Sequence, residues 1–236
     1  MTTSLRIAGA TLVATSLGFV AVFDYLARHF GYPDVLDGPA GRVLPALVAA
    51  GSTMRGVWTL YAALPSGIAV AAIFAYPLFR RAGETTARLG LVAAIASACA
   101  MTAGLMRWPT INHALGQAYV QSDSAQRLVL SAVFDAGNLY LGTVTGELIG
   151  ELTLSAWFLT LSVAIVRGVG IARWIGYCGL FVAVSMSVGA LRNASSLAKP
   201  IAEANNFVLP LWLIVLGVAL LADLERDDLA ARQMAS

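Results

Sequence analysis

The sequence predicts an all-α fold: a bundle of about six transmembrane helices with short interfacial helices on the outer face. Of its 236 residues, 58% are hydrophobic and only 12% are charged, and the mean hydropathy is +0.77. Soluble domains have about 25% charged residues. Several uncharged segments are about 20 residues long, which is what a helix needs to cross a hydrocarbon core of ~30 Å. We therefore expect one integral-membrane domain over residues 1–236, with the lipid bilayer as its main partner.

Six apolar windows, separated by charged or glycine- and proline-rich connectors, are the predicted spans. They lie near residues 7–28, 54–79, 88–106, 143–166, 171–191 and 206–222. The first window resembles a signal peptide, but its apolar run is long for one and no small-residue cleavage site follows, so we expect a retained helix. The connectors are too short to form a soluble domain of their own.

An even number of spans places both termini on the same side of the membrane. If that side is the cytoplasm, eight basic residues lie inside and seven outside. The inner set includes the arginines of the short loops "FRRAGETTAR" and "RGVGIAR", which weigh most on topology. The sequence thus predicts a bacterial inner (plasma) membrane protein whose N- and C-termini are cytoplasmic.

Two of the outer connectors contain apolar residues at helical spacing. After "YPDVLDGPAG", the first presents Val43, Leu44, Leu47 and Val48, which suits a short interfacial helix. The alternative is that the second span simply starts early. The other connector, "WPTINHALGQAYV", is interpreted as an interfacial segment with Trp108 and Tyr119 at the depth of the headgroups.

A helix start is predicted at Asp123, because this potential N-cap residue is followed three positions later by Gln126, the spacing of a capping box. From there to Val166 is 43 residues, or about 65 Å if the helix is continuous. Since that is about twice the thickness of the bilayer core, the helix either projects outward or breaks between residues 137 and 142.

A polar face is predicted where this helix enters the membrane. At α-helical spacing the side chains of one face are Tyr140, Thr143, Glu147, Glu151 and Ser155, and Asn138 could extend it. A neighbouring face carries Gly142, Gly146 and Gly150, a doubled small-xxx-small pattern that lets another helix approach closely. We interpret these glycines as a helix-packing face.

The two glutamates need an explanation, because a charged side chain in mid-membrane costs about 2.5–3.5 kcal/mol on insertion scales. One interpretation is an interfacial cluster in which they bind Arg55, Arg107 or Arg192. The other is a proton-titratable or cation-binding site that opens outward. Since carboxylates four residues apart repel each other, we expect at least one to be neutral at pH 7 if no cationic partner is present.

Several function classes find no support in the sequence. The net charge is only +2 and there is no basic patch, so no nucleic-acid partner is expected. The two histidines and two cysteines show no metal-ligand spacing, and no phosphate-binding loop, dinucleotide fingerprint or nucleophile elbow is present. We therefore assign no catalytic residues, no metal site and no cofactor.

The segments "YPDVLDGPAGRVL", "GLMRWP", "VFDAGNLYLGTVTGELIGELTLSAWFLTL" and "ARWIGYCGL" resemble, in that order, a bacterial family of integral-membrane proteins known as the domain of unknown function DUF4386. Tyr140, Gly142, Gly146, Glu147 and Gly150 carry the most specific part of the likeness. The resemblance implies a polytopic helical protein and brings no activity with it.

Three hypotheses of function follow. In the first, an outward-facing cavity lined by Glu147, Glu151, Tyr140, Asn138 and Thr143 binds a small ligand, a cation or a lipid headgroup. In the second, the protein is an accessory or structural component whose glycine face docks a partner membrane protein or a second copy of the chain. In the third, which has least support, Glu147 or Glu151 is the general base of a membrane enzyme acting on a lipid.

Overall fold

The computed structural model describes residues 2–234, without the side chains of residues 2, 36, 37 and 223–234. Within that range all regular secondary structure is helical, as the sequence predicted. Five helices are long and apolar enough to cross a bilayer: Thr3–Phe30, Gly51–Ala82, Glu84–Gln121, Ser124–Val166 and Ser196–Ala222. A sixth apolar helix, Arg173–Gly189, has 17 residues. The fold is a bundle of membrane-spanning helices.

The α-helices are α1 (Thr2–Phe30), α2 (Ala40–Ala49), α3 (Gly51–Ala63), α4 (Pro65–Phe79), α5 (Glu84–Met106), α6 (His113–Gln121), α7 (Ser124–Gly137), α8 (Gly150–Val166), α9 (Arg173–Gly189) and α10 (Lys199–Met234). Two π-helical segments continue the chain from one α-helix into the next: Trp108–Asn112 joins α5 to α6, and Asn138–Ile149 joins α7 to α8. Short 3₁₀ turns occupy Asp34–Asp37, Arg80–Ala82 and Ser196–Ala198.

Six helices form a ring in which neighbours pack in the order α1, α4, α5, α8, α9, α10 and back to α1. The half of the bundle that contains the start of α1 is called the near half here, and the opposite half the far half. A first hydrophobic core fills the near half and the middle of the ring. Its members include Leu12, Ile68, Phe158, Ile165, Leu213 and Leu216.

A second hydrophobic core lies in the far half, between α2, α3, the π segment after α5 and the end of α1. It is built around Trp58 and Trp108, whose rings stack with centroids 4.7 Å apart and planes 12° from parallel. Val22 and Leu26 of α1 belong to this core. Trp108 is fully buried: the indole, which the sequence predicted at the depth of the headgroups, is covered by neighbouring helices.

The connector after α1 forms a separate helix, α2, as one of the two sequence interpretations proposed. Helix α3 begins at Gly51, whose φ of +69° is a value that glycine adopts without steric cost. The side chains of Val43, Leu44 and Leu47 are buried in the second core. The apolar face of α2 therefore packs against protein. The ring of Tyr119 likewise contacts this core, and the guanidinium of Arg127 lies over it at 5.3 Å.

The capping box at the start of α7 is confirmed. The Gln126 backbone N–H donates to Asp123 Oδ1 at 2.9 Å, and the Asp123 N–H donates to Gln126 Oε1 at 3.2 Å. The helix then continues without a break to Val166. It changes from α to π geometry at Asn138, where hydrogen bonds run from residue i to i+5 and each residue turns through a smaller angle. Faces drawn at α-helical spacing therefore do not hold between residues 138 and 149.

Helices α1 and α10 cross at two glycines in the near half. A Cβ on Gly9 would lie 2.6 Å from the Gly217 carbonyl oxygen, and a Cβ on Gly217 would lie 2.8 Å from the Gly9 oxygen. Beyond this crossing, α1 turns its Val22 and Leu26 into the second core, to which no described residue of α10 belongs. The two helices thus have different packing partners in the far half.

We expect Gly9→Ala to lower the free energy of unfolding by about 1–3 kcal/mol, because the added methyl group overpacks this crossing. Gly56→Ala is the matched control: a Cβ there meets nothing within 4 Å, and alanine is favoured over glycine in a helix by about 0.5–1 kcal/mol. Thermal unfolding in detergent, followed by circular dichroism, measures both. Equal melting temperatures for the two variants would contradict the close crossing.

Candidate functional site

A cavity of about 550 Å³ lies inside the helix ring, mainly in the far half. Its apolar wall comes from α1, α5 and α10 and includes Phe19, Val20, Phe23, Leu105, Leu209 and Leu213. Its charged lining consists of Asp24, Asp34, Arg107, Glu147, Glu151, Arg192, Lys199 and Glu203. The cavity is thus amphipathic, with a broad apolar wall and a set of charged groups from several helices.

Glu147, Glu151 and Arg192, called here the carboxylate cluster, form one ion-pair network. Arg192 follows α9, and its Nη1 and Nη2 donate to Glu151 Oε2 and Oε1 at 2.7 and 2.9 Å. Its Nη2 also lies 3.1 Å from Glu147 Oε2, which accepts a 2.8 Å hydrogen bond from Asn193 Nδ2. All three charged side chains are largely buried. Of the three arginines considered as partners from the sequence, Arg192 is the one that binds both carboxylates.

The protonation of this cluster follows from its geometry. Burial lowers the pKa of Arg192, but its hydrogen bonds and charge interactions with Glu151 and Glu147 outweigh burial and raise that pKa above its ordinary value. The guanidinium therefore stays charged. A neutral carboxylate was expected only if the glutamates had no cationic partner. Arg192 is a cationic partner, so the condition for that expectation is not met.

The other residues predicted for the cavity lie elsewhere. Tyr140 is 67% exposed, and neither it nor Thr143 lines the cavity. The π geometry turns Tyr140, seven residues before Glu147, away from that glutamate. Asn138 does not line the cavity. Its Oδ1 accepts hydrogen bonds from Arg107 Nε at 2.8 Å and from Asn112 Nδ2 at 3.3 Å. The structure thus brings together Glu147 and Glu151, while Asn138 supports a residue beside them.

The glycine face packs, but against α5 of the same chain. A Cβ on Gly104 would lie 2.6 Å from the Gly146 Cα, so the two backbones are in direct contact. A Cβ on Gly150 would meet the Met101 side chain, and the Ser97 hydroxyl donates to the Gly150 carbonyl at 2.8 Å. Since α5 covers these glycines, the hypothesis that they dock a second copy or a partner protein is wrong.

Arg107 is a cavity residue that the sequence analysis considered only as a glutamate partner. It is 6% exposed, its Nε donates to Asn138 Oδ1, and its Nη1 donates to the Gly104 carbonyl. No carboxylate oxygen of a described residue lies within 4.0 Å of it. Only its position at the end of an apolar window, in "GLMRWP", marked it in the sequence, and such arginines usually face the interface.

Hydroxyl groups complete the polar lining. Ser16 of α1 is fully buried, and its Oγ has no hydrogen-bond partner among the described residues. The rings of Tyr32 and Tyr61 meet edge to face with centroids 5.9 Å apart. Burial raises the pKa of the Tyr32 hydroxyl, so this group stays protonated at neutral pH and can donate a hydrogen bond. Ser16, Tyr32 and Tyr61 all line the cavity.

Comparison with known proteins identifies the family. A family model described as a domain of unknown function (DUF4386) matches residues 7–217. The chain belongs to the DUF4386 family. No curated protein and no solved structure matches this DUF4386 protein. In the described part of the chain, no group of three or more histidine, cysteine, aspartate or glutamate side chains is placed to hold a metal ion.

We expect Arg192→Gln to lower the free energy of unfolding by about 2–3 kcal/mol, because it leaves two largely buried carboxylates without their cation. Arg28→Gln is the matched control, since Arg28 pairs with Asp24 at 2.9 Å but is 71% exposed. The loss of such a surface pair costs at most about 1 kcal/mol. Thermal unfolding at neutral pH measures both, and an Arg192 variant as stable as the Arg28 variant would contradict the network.

Proposed function

We propose that this DUF4386 protein binds one small amphipathic molecule, a lipid or a lipid-like compound, in the far-half cavity. The observation that supports this most directly is the composition of the cavity, which joins an apolar wall to a buried set of charged and hydroxyl groups. Its volume of about 550 Å³ falls within the range of small-molecule sites. An apolar chain fits against the apolar wall, and a polar headgroup fits among the charged and hydroxyl groups.

The mouth of the cavity supports a ligand that comes from the bilayer. Val20 of α1 and Phe207 of α10 both line the cavity, yet they are 49% and 74% exposed. They lie on α1 and α10, which pack against different hydrophobic cores beyond the Gly9 crossing. In a membrane, apolar side chains exposed at such a gap face lipid tails, so an amphiphile can enter sideways without crossing water.

A metal or other simple cation is a poorer fit to the same site. Three of the four oxygens of Glu147 and Glu151 already accept hydrogen bonds from Arg192 or Asn193. A cation would have to displace a guanidinium held by two carboxylates. The sequence analysis considered a small ligand, a cation or a lipid headgroup. Of these, we propose an amphiphile with a polar headgroup.

We further propose that the protein lies in a bacterial plasma membrane with its far half outward and both termini in the cytoplasm. The arginines of the near-half loops, Arg80, Arg81 and Arg167, support this orientation through the positive-inside rule. The carboxylate cluster and the cavity mouth then belong to the outer leaflet.

Cysteine labelling tests the orientation. In a chain with Cys99 and Cys178 replaced by alanine, Ser124→Cys is expected to react with a membrane-impermeant maleimide on intact cells, because this exposed residue begins α7 in the far half. Thr85→Cys, exposed at the near-half start of α5, should react only after the cells are opened. The opposite pattern would reverse the proposed topology.

Narrowing the mouth tests the proposed function. Val20→Trp adds bulk at the opening, and we expect it to abolish the retention of a co-purified lipid that wild-type protein holds at one copy per chain. Val218→Trp is the matched control, because Val218 is 52% exposed on α10 but does not line the cavity. Native mass spectrometry of protein released from gentle detergent counts the adducts. Wild-type protein without any lipid, or a Val20 variant that retains it fully, would count against the proposal.

A further inference from the structure

We infer that the headgroup of the bound amphiphile carries an anion, a phosphate or a carboxylate, that pairs with Arg107 inside the cavity. This inference rests on the proposed function and specifies the chemistry of its ligand. It begins from a buried guanidinium that has no carboxylate oxygen of a described residue within 4.0 Å.

The surroundings of Arg107 are neutral at contact distance. Its guanidinium donates to an amide oxygen and a backbone carbonyl oxygen and lies 5.3 Å from the Trp108 ring centroid. Its Nη2 has no hydrogen-bond acceptor among the described residues, and the side chain lines the cavity. A buried charge without a partner is strongly unfavourable. An anion in the cavity would remove that cost.

The neighbouring carboxylates do not supply this anion. The charge of Glu147 interacts with that of Arg107, but no oxygen of Glu147 is within 4.0 Å of it, because Arg192 and Asn193 hold this carboxylate on the other side. Glu151 is bound at both oxygens by Arg192. Arg107 is therefore left with an open donor while both nearby carboxylates are engaged.

A second, independent observation points to the same ligand. The Ser16 hydroxyl is fully buried, lines the cavity, and has no partner in the described part of the chain. An unpaired buried hydroxyl is unfavourable, because it has lost its hydrogen bonds to water. Anionic oxygens accept several hydrogen bonds at once, so an anionic ligand in this cavity also offers acceptors for such a hydroxyl.

The seat of Arg107 depends on a glycine. A Cβ on Gly142 would lie 2.6 Å from Arg107 Nη2 and 2.8 Å from Cζ. The guanidinium thus rests against the bare backbone of the π segment. Gly142→Ala would move the Arg107 guanidinium while retaining its charge. This variant therefore tests the position of the charge, whereas Arg107→Gln tests the charge itself.

The test compares ligands that differ only in the headgroup. We expect purified protein in a neutral maltoside detergent to bind 1-palmitoyl-lysophosphatidylglycerol at least about 10-fold more tightly than 1-palmitoylglycerol, since one charge-assisted contact is worth about 1.5–3 kcal/mol. Palmitate represents the carboxylate source, and inorganic phosphate represents an anion without a chain. Native mass spectrometry and the shift in melting temperature report binding.

Arg107→Gln should abolish the preference for the anionic lipid, Arg107→Lys should retain part of it, and Gly142→Ala should weaken it. If the glutamine variant does not fold, the wild-type comparison and the Gly142 variant still decide the question. Equal binding of the anionic and neutral lipids by wild-type protein would overturn the inference of an anionic headgroup but would not contradict the proposed function. Binding of neither lipid, or a response to inorganic phosphate alone, would overturn the amphiphile itself.

Discussion

The cavity depends on the packing of α1 against two different hydrophobic cores along its length. In the near half, Gly9 lets α1 contact α10 through backbone atoms, and no gap remains there. In the far half, Val22 and Leu26 are buried with Trp58 and Trp108, and α1 follows that core. Helix α10 keeps its contacts with the first core. The space between the two helices is thus a consequence of where apolar side chains fall on α1.

A second close contact places the charges. Because Gly104 and Gly146 touch through their backbones, α5 and the π segment approach closely enough for Arg107 to rest on Gly142. The π geometry then turns Glu147 toward Arg192, while Tyr140 on the same segment faces outward. Small residues therefore do more than join two helices. They fix which polar groups face the interior, and any side chain at 142 or 146 would disturb the packing and the electrostatics together.

The sequence predicted the features that depend on local patterns. The apolar windows identified the membrane helices, and the Asp123 and Gln126 pair identified the start of α7, since both signals lie within a few residues. Glu147 and Glu151 were found because carboxylates are rare at the edge of an apolar run. The position of Tyr140 could not be predicted, because the change from α to π geometry has no periodic signal. The packing partners of Trp108 and of the glycine face, which are Trp58 and α5, could not be predicted because they are distant in sequence.

The two cavity arginines show why composition alone could not identify the ligand. Arg192 and Arg107 both follow apolar helices and both were possible partners of the glutamates. In the structure, Arg192 forms ion pairs with both carboxylates. Arg107 is more deeply buried and donates hydrogen bonds only to uncharged oxygens. A lysine in that position could lose its proton and become neutral, but a guanidinium stays charged. In the proposed complex, Arg107 binds the anionic headgroup and the apolar wall holds the chain.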